Sequence, residues 1–186
     1  MSMRVFFALE PDVETQRAIA DWRDRFARAE GMPVPAANFH LTLAFVGDVD
    51  NRQLDTLCRT LDEREDEVTA EAGALALDQV GFWPGPDIYW MGCSEPVPEL
   101  ASLSRKLQHL GSRVGAKLPR KPFTPHVTLY RRCLLPPPAP VLPPAITLAY
   151  NQFALLESVR GRSGVSYHAL AAWELQRRLR PQHGLG

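Results

Sequence analysis

Two rhythms run along this chain, one of period two and one of helical period, and the switches between them mark its elements. Residues 4–10 begin with the apolar run Val5-Phe6-Phe7-Ala8-Leu9, which predicts a buried strand. Pro11-Asp12 then opens a helix with an apolar stripe of Val13, Ile19, Ala20, Trp22 and Phe26, ended by Gly31 and Pro33. A loop over 33–37 leads to a second strand over 38–46, closed by Gly47-Asp48. Residues 51–67 return to helical spacing, with Leu54, Leu57 and Leu61 inward and charges outward. Strands over 75–83 and 88–92 flank Pro84-Gly85-Pro86-Asp87, which has the composition of a hairpin turn. A helix over 98–114 carries Leu100, Leu103, Leu107 and Leu110 on one face.

Past Gly115, a basic proline-containing loop feeds a strand over 126–131. Residues 134–144 hold six prolines, which cannot lie inside a sheet, so they form an extended connection. Strands over 146–156 and 167–175 follow, separated by Gly161-Arg162-Ser163-Gly164. An Arg-rich tail over about 177–186 is expected to be mobile. The resulting order is α+β (mixed α/β), without the regular alternation of a doubly wound sheet. Neither GxGxxG nor a P-loop occurs, which removes most nucleotide-cofactor folds.

Composition narrows the class. With 186 residues and 45% hydrophobic content, the chain can build one substantial domain or two tightly joined lobes. No apolar run is long enough to span a membrane, and the first is short and closed by Glu10, so a soluble, cytoplasmic monomer is the default. Cys58, Cys93 and Cys133 are widely spaced and form no zinc-ligand pattern with histidines; they read as free thiols.

Charge changes the picture more. Residues 1–99 carry 19 acidic and 8 basic side chains, a balance of −11, while residues 100–186 carry 2 acidic and 13 basic, a balance of +11. The halves either simply attract one another, or the second half supplies a local positive field suited to a phosphate ligand.

Two segments carry the candidate chemistry, Phe39-His40-Leu41-Thr42-Leu43 and Pro125-His126-Val127-Thr128-Leu129. Each is a His-x-Thr-x unit on a strand, so His and Thr share one face, roughly 7 Å apart, while Leu41, Leu43, Val127 and Leu129 anchor the other. Hydrolysing a phosphodiester needs a base for the attacking water and an acid for the leaving oxygen, and histidine serves as either near neutral pH. Threonine hydroxyls can hold the non-bridging oxygens. No carboxylate cluster calls for a metal, and no cofactor is expected. One such unit alone is usually a half-buried structural histidine; two matched copies are hard to attribute to chance. His109, His168 and His183 have no partner motif and read as structural or surface residues.

With both motifs in hand, the chain resembles the two-histidine (2H) phosphoesterases, and within them the RNA 2′,3′-cyclic phosphodiesterase, or 2′-5′ RNA ligase (LigT-like), family. The resemblance includes Arg4-Val5-Phe6-Phe7-Ala8-Leu9, the segment from Phe39 through Gly47, Pro122-Phe123-Thr124-Pro125-His126-Val127-Thr128-Leu129, and Leu155-Leu156-Glu157-Ser158 followed by Gly164 and Tyr167. It implies a single bilobal domain over 1–186 with pseudo-twofold symmetry, two antiparallel-rich sheets flanking a central cleft, and helices outside. It also implies metal-independent hydrolysis of an RNA terminal 2′,3′-cyclic phosphate to a 2′-phosphate, with His40 as acid, His126 as base, and Thr42 and Thr128 on the phosphate.

By the same resemblance Arg131, five residues after His126, contacts phosphate or ribose. Strand alternation alone puts Arg131 on the opposite face, so that role requires a bend or bulge. Phe45 either stacks on a base or packs in the core. Arg120 and Lys121 either extend a basic rim to the RNA backbone or are solvated loop charges. The expected partner is RNA with a cyclic phosphate end, or a small cyclic nucleotide. Alternatives are a nucleotide-level cyclic phosphodiesterase or 2′,5′-phosphodiesterase, 2′,5′ ligation, and a non-catalytic RNA-binding module.

Overall fold

The computed structural model describes residues 2–63, 68, 70–162 and 164–176. In chain order its elements are β1 (Met3–Leu9), α1 (Val13–Phe26), β2 (Met32–Pro33), β3 (Leu41–Val49), α2 (Asn51–Glu63), β4 (Gly73–Leu77), β5 (Gln79–Trp83), β6 (Ile88–Gly92), α3 (Pro98–Ser112), β7 (His126–Arg131), β8 (Ile146–Tyr150), β9 (Gln152–Gly161) and β10 (Gly164–Glu174). A 3-10 turn at Ala36–Asn38 precedes β3. Residues 177–186, His183 and the last residues of the helix expected over 51–67 lie outside the described residues. Among the described residues, no helix is long and apolar enough to cross a membrane.

The α+β class read from the pattern is the observed one, and these strands pair antiparallel throughout. The main sheet runs β10-β9-β1-β3-β7-β6-β5, with β2 on β7, while β4 and β8 form a separate ribbon. At its centre β3 and β7 pair at one position, Leu41 with Val127. The two sheets expected to flank the cleft are therefore halves of one sheet, continuous through this pair. Leu41 and Val127 each directly follow a motif histidine, so the local twofold of an antiparallel pair relates one motif to the other.

Alternation sorts β1 cleanly. Val5, Phe7 and Leu9 face the main core, together with Ile19 and Trp22 of α1, Leu57 and Leu61 of α2, and the leucines of α3. Phe6 and Ala8 face the other side with Ala154, Leu156 and Tyr167. Helix α1 starts where the Asp12 carboxylate accepts the Thr15 amide at 2.8 Å, an N-cap. Val13, expected in the apolar stripe, is 59% exposed, because burial along α1 begins a turn later. Helix α3 starts with proline in its first turn and buries Leu100, Leu103, Leu107 and Leu110. Burial of each contributes about 1.5–3 kcal/mol.

Two strands expected to be single are each split between the sheets. The run over 75–83 breaks at Asp78, leaving β4 in the ribbon and β5 at the edge of the main sheet. Asp78 makes this turn: its carboxylate accepts the Ser94 amide at 2.7 Å and the Ser94 hydroxyl at 2.6 Å, while its own amide donates to Gly92 O at 3.0 Å. The run over 146–156 breaks likewise at Asn151, whose carbonyl accepts the Leu175 amide at 2.7 Å. Each break falls at a polar pair, Asp78-Gln79 and Asn151-Gln152, between apolar segments that enter different sheets. The closing strand begins at Gly164, earlier than expected, through its pairing with Gly161.

The proline-rich segment over 134–144 lies outside every strand, as its composition requires, and ties back to α1: Val141 N donates to Phe26 O at 3.0 Å, and Trp22 Nε1 to Leu142 O at 3.2 Å. Cys58, Cys93 and Cys133 are free thiols.

Candidate active site

The seam between β3 and β7 places the motifs. Leu41, Leu43, Val127 and Leu129 are at most 2% exposed and pin both strands to the core. Continuing the Leu41–Val127 register sets Thr42 opposite His126 and Thr128 opposite His40, all four on the other face. Those four side chains line one cleft of about 1110 Å³, together with Phe45 and Arg131.

Both imidazoles are held in the same way. Nδ1 of His40 lies 2.8 Å from the Asn38 carbonyl oxygen, and Nδ1 of His126 lies 2.7 Å from that of Thr124. A carbonyl only accepts, so each Nδ1 carries the proton and each Nε2 is left as the acceptor of the neutral ring. Neither Nε2 has a partner among the described residues, and neither do the hydroxyls of Thr42 and Thr128. Burial pushes the His40 imidazole down to about 4, against the upward pull of the Asn38 carbonyl, and the positive charge of Arg131 and the neighbouring His126 add to the depression. His126 is lowered as well, by burial first and then by Arg131, with the Thr124 carbonyl opposing. Both rings therefore favour the neutral form at pH 7.

Arg131 reaches the cleft through a bulge. Along β6 and β7 the register runs from Trp90–Thr128 to Tyr89–Tyr130, so Leu129 is an inserted residue. One extra residue reverses the alternation beyond it, turning Tyr130 into the core and Arg131 to the cleft. The same device recurs in β3. The register with β1 passes from Ala8–Thr42 to Phe7–Ala44, skipping Leu43, and Phe45 then falls opposite Phe6 on the cleft face. Leu43 and Leu129 each stand three residues after their histidine, so Phe45 and Arg131, each five after, are symmetry equivalents. Phe45 is 71% exposed, which overturns the core-packing alternative for it.

The β3 bulge is braced from behind. The register skips Leu43, and its carbonyl accepts the hydroxyl of Ser104, a fully buried residue of α3, at 2.5 Å.

Aromatic rings flank each histidine. His40 meets Tyr167 edge-on at 4.6 Å and Phe6 at 5.0 Å between ring centroids. His126 meets Trp83 edge-on at 4.5 Å and Trp90 at 6.3 Å. Trp90 lies over Gly81, where an added Cβ would collide with its ring. The sequence pattern does not single out Phe6, Trp83 and Trp90 as parts of the site, and Tyr167 enters there only through the resemblance. Their role depends on which strands are neighbours, and no local pattern encodes that.

The cleft's charges are mixed. Arg4, Arg131 and Arg160 line it, and so do Asp48 and Glu157. Arg4 and Asp48 pair at 3.3 Å with both side chains 60% exposed, an interaction worth little. Lys121 lines a second cavity beside His126, whereas Arg120 is exposed and lines neither cavity. His109 and His168 are exposed and line neither cavity as well. Among the described residues, no group of three or more His, Cys, Asp or Glu side chains is placed to hold a metal ion.

The family model described as LigT like Phosphoesterase matches residues 9–90. The RNA 2′,3′-cyclic phosphodiesterase of Escherichia coli is 32% identical over 182 residues, covering 92% of this chain and 96% of that protein. The protein of the same name from Thermus thermophilus is 29% identical, covering 98% of this chain and 93% of its own. The crystal structure of E. coli LigT complexed with 3′-AMP superposes with a TM-score of 0.83 at 31% identity, over 94% of this chain and 99% of that one. In sequence and in fold, this chain belongs to the LigT-like phosphoesterase family.

Proposed function

We propose that this chain hydrolyses the 2′,3′-cyclic phosphate at the end of an RNA to a 2′-phosphomonoester, with His40 and His126 as the paired acid and base. The observation that carries the proposal is the matched pair of Nδ1-anchored imidazoles, whose unpartnered Nε2 atoms share one cleft with two unpartnered threonine hydroxyls and Arg131. The names of the relatives support the substrate class.

In this mechanism the phosphate sits between Thr42 and Thr128, which donate to its non-bridging oxygens, and Arg131 offsets its charge. His126 Nε2 takes a proton from water as the water oxygen bonds to phosphorus. The bond from phosphorus to O3′ breaks, and His40 Nε2 delivers a proton to O3′. The product keeps the phosphate on O2′ and has a free 3′-hydroxyl. The family resemblance assigns His40 to the acid and His126 to the base; the pseudo-twofold geometry alone does not distinguish them.

The depressed pKa of His40 sets a condition on this scheme. As the acid it must be protonated, so it takes up its proton when the phosphodiester anion enters and favours the charged ring. With a 5′-hydroxyl in place of water, the same two transfers form a 2′,5′ bond, which is the ligation reaction.

The test is to incubate the protein with an oligoribonucleotide ending in a 2′,3′-cyclic phosphate, with chelator present, and to identify the product by phosphorus NMR. A 2′-phosphomonoester is expected. A 3′-phosphomonoester, or activity restored only by added divalent metal, contradicts the mechanism.

A further inference from the structure

The bulge in β7, like the one in β3, is held from behind. Leu129 is the residue that β6 skips, and its carbonyl accepts the Val34 amide at 2.9 Å. Val34 extends the short β2–β7 ladder, in which Met32 pairs with Arg131 and Pro33 with Tyr130. Its own carbonyl accepts Nη1 of Arg23, from α1, at 2.5 Å. Both backbone polar groups of Val34 are thus used to link the helix to the bulge. Ser104 serves the Leu43 carbonyl of β3 directly; Arg23 serves the Leu129 carbonyl of β7 at one remove.

Arg23 is a charge placed in the core. It is 6% exposed, and its guanidinium carbon lies 5.5 Å from the Phe39 ring centroid and 5.6 Å from that of Tyr130. Phe39 directly precedes His40, and Tyr130 directly precedes Arg131. The Asp24 carboxylate accepts Arg23 Nε at 2.7 Å, but that side chain is 60% exposed and solvent screens the pair. What offsets the buried cation is therefore one carbonyl and two aromatic rings. A core position without a further task would take a leucine or methionine at less cost. A planar guanidinium can donate along its edge while it packs against rings, which the point charge of lysine cannot do. We infer that Arg23 is a positioning residue for Arg131: through Val34 and Tyr130 it fixes the bulged stretch of β7 that turns Arg131 to the cleft.

The experiment compares Arg23→Met, which keeps an apolar stem but no charge or donor, with Arg131→Ala, with the double variant of the two, and with Asp24→Asn. Hydrolysis of an oligoribonucleotide with a 2′,3′-cyclic end gives kcat/KM, and NMR titration gives the His126 pKa, both well below each variant's Tm. Arg23→Met should lower kcat/KM by roughly tenfold or more, since a displacement of about 1 Å can cost about 10²-fold. Its His126 pKa should rise, because Arg131 helps to hold that imidazole down. The double variant should match Arg131→Ala within about twofold, since both changes remove one interaction. Asp24→Asn should behave like the parent. If Arg23→Met does not fold, Arg23→Lys takes its place, keeping the charge but not the planar fork, and should shift both readouts the same way. A folded Arg23 variant with the parent's kcat/KM and His126 titration overturns the inference. So do losses that multiply in the double variant, or a matching loss in Asp24→Asn. The kcat/KM arm rests on the cyclic phosphodiesterase reading, whereas the titration does not. If the parent leaves the cyclic-ended RNA intact, that reading falls and the titration alone decides the role of Arg23.

Discussion

Ser104→Ala tests whether helix packing sets the shape of the cleft. Ser104 is fully buried where α3 meets β3, and its hydroxyl satisfies the carbonyl of Leu43, the residue that the β1 register skips. Alanine removes one oxygen and leaves little cavity, so the cost comes from a buried carbonyl left without a donor and from the half-buried Gln108 carboxamide, whose Nε2 loses its acceptor. That is worth about 1–3 kcal/mol. For a chain of this length, a loss of about 2 kcal/mol lowers Tm by about 4–8 °C. Urea unfolding followed by tryptophan fluorescence should show a lower midpoint at an unchanged m value. Because the bulge turns Phe45 to the cleft, KM should rise as well. A stability change within about 0.5 kcal/mol, typical of an inconsequential surface substitution, would refute the claim that the helix braces the bulge.

Four further outcomes follow from the site. His40 and His126 are half-buried, and their imidazoles favour the neutral form, so the unfolded chain binds more protons than the native one at mildly acid pH, and stability should fall from pH 6.5 down toward about 4. His40→Gln should flatten that slope, and an unchanged slope would show that burial is not its source. The alkaline limb of kcat should lie at higher pH than that of kcat/KM, because the bound anion raises the His40 pKa; coincident limbs would contradict proton uptake on binding. Arg131→Ala should lower kcat/KM by roughly tenfold or more and let the His126 pKa rise, as read by NMR titration. If the His126 titration does not move, Arg131 does not bear on the site. Gly81→Ala drives a methyl into the Trp90 ring, at a cost of about 1–3 kcal/mol, and should reduce turnover by shifting the support of His126. A crystal structure with Trp90 unmoved and full activity would remove that support role.

Much of the site was legible because a strand has period two. That period alone puts His40 with Thr42 and His126 with Thr128 on one face, and Leu41 and Val127 on the other, and the structure pairs those two anchors directly. Arg131 was legible only as a conflict. Its role by resemblance and its parity disagreed, and the extra residue Leu129 resolves the conflict. Nothing in Thr42-Leu43-Ala44 or Thr128-Leu129-Tyr130 marks a bulge, since neither segment contains a glycine that would signal one. The breaks at Asp78 and Asn151 were not predicted, because the contacts that bend the chain come from Ser94 and Leu175, which are remote in sequence. The rings around the histidines depend on strand order, a property of the assembled sheet rather than of any segment.

The central claim is that the two histidines work as one acid–base pair, and single-turnover hydrolysis by His40→Ala and His126→Ala measures it most directly. On an oligoribonucleotide with a 2′,3′-cyclic end, each variant should lose at least about 10²-fold in rate, with both still folded by circular dichroism. The double variant should lose little more than the worse single one, because either loss alone breaks the pair. Near-normal hydrolysis by either single variant, or losses that multiply in the double variant, would contradict the pairing.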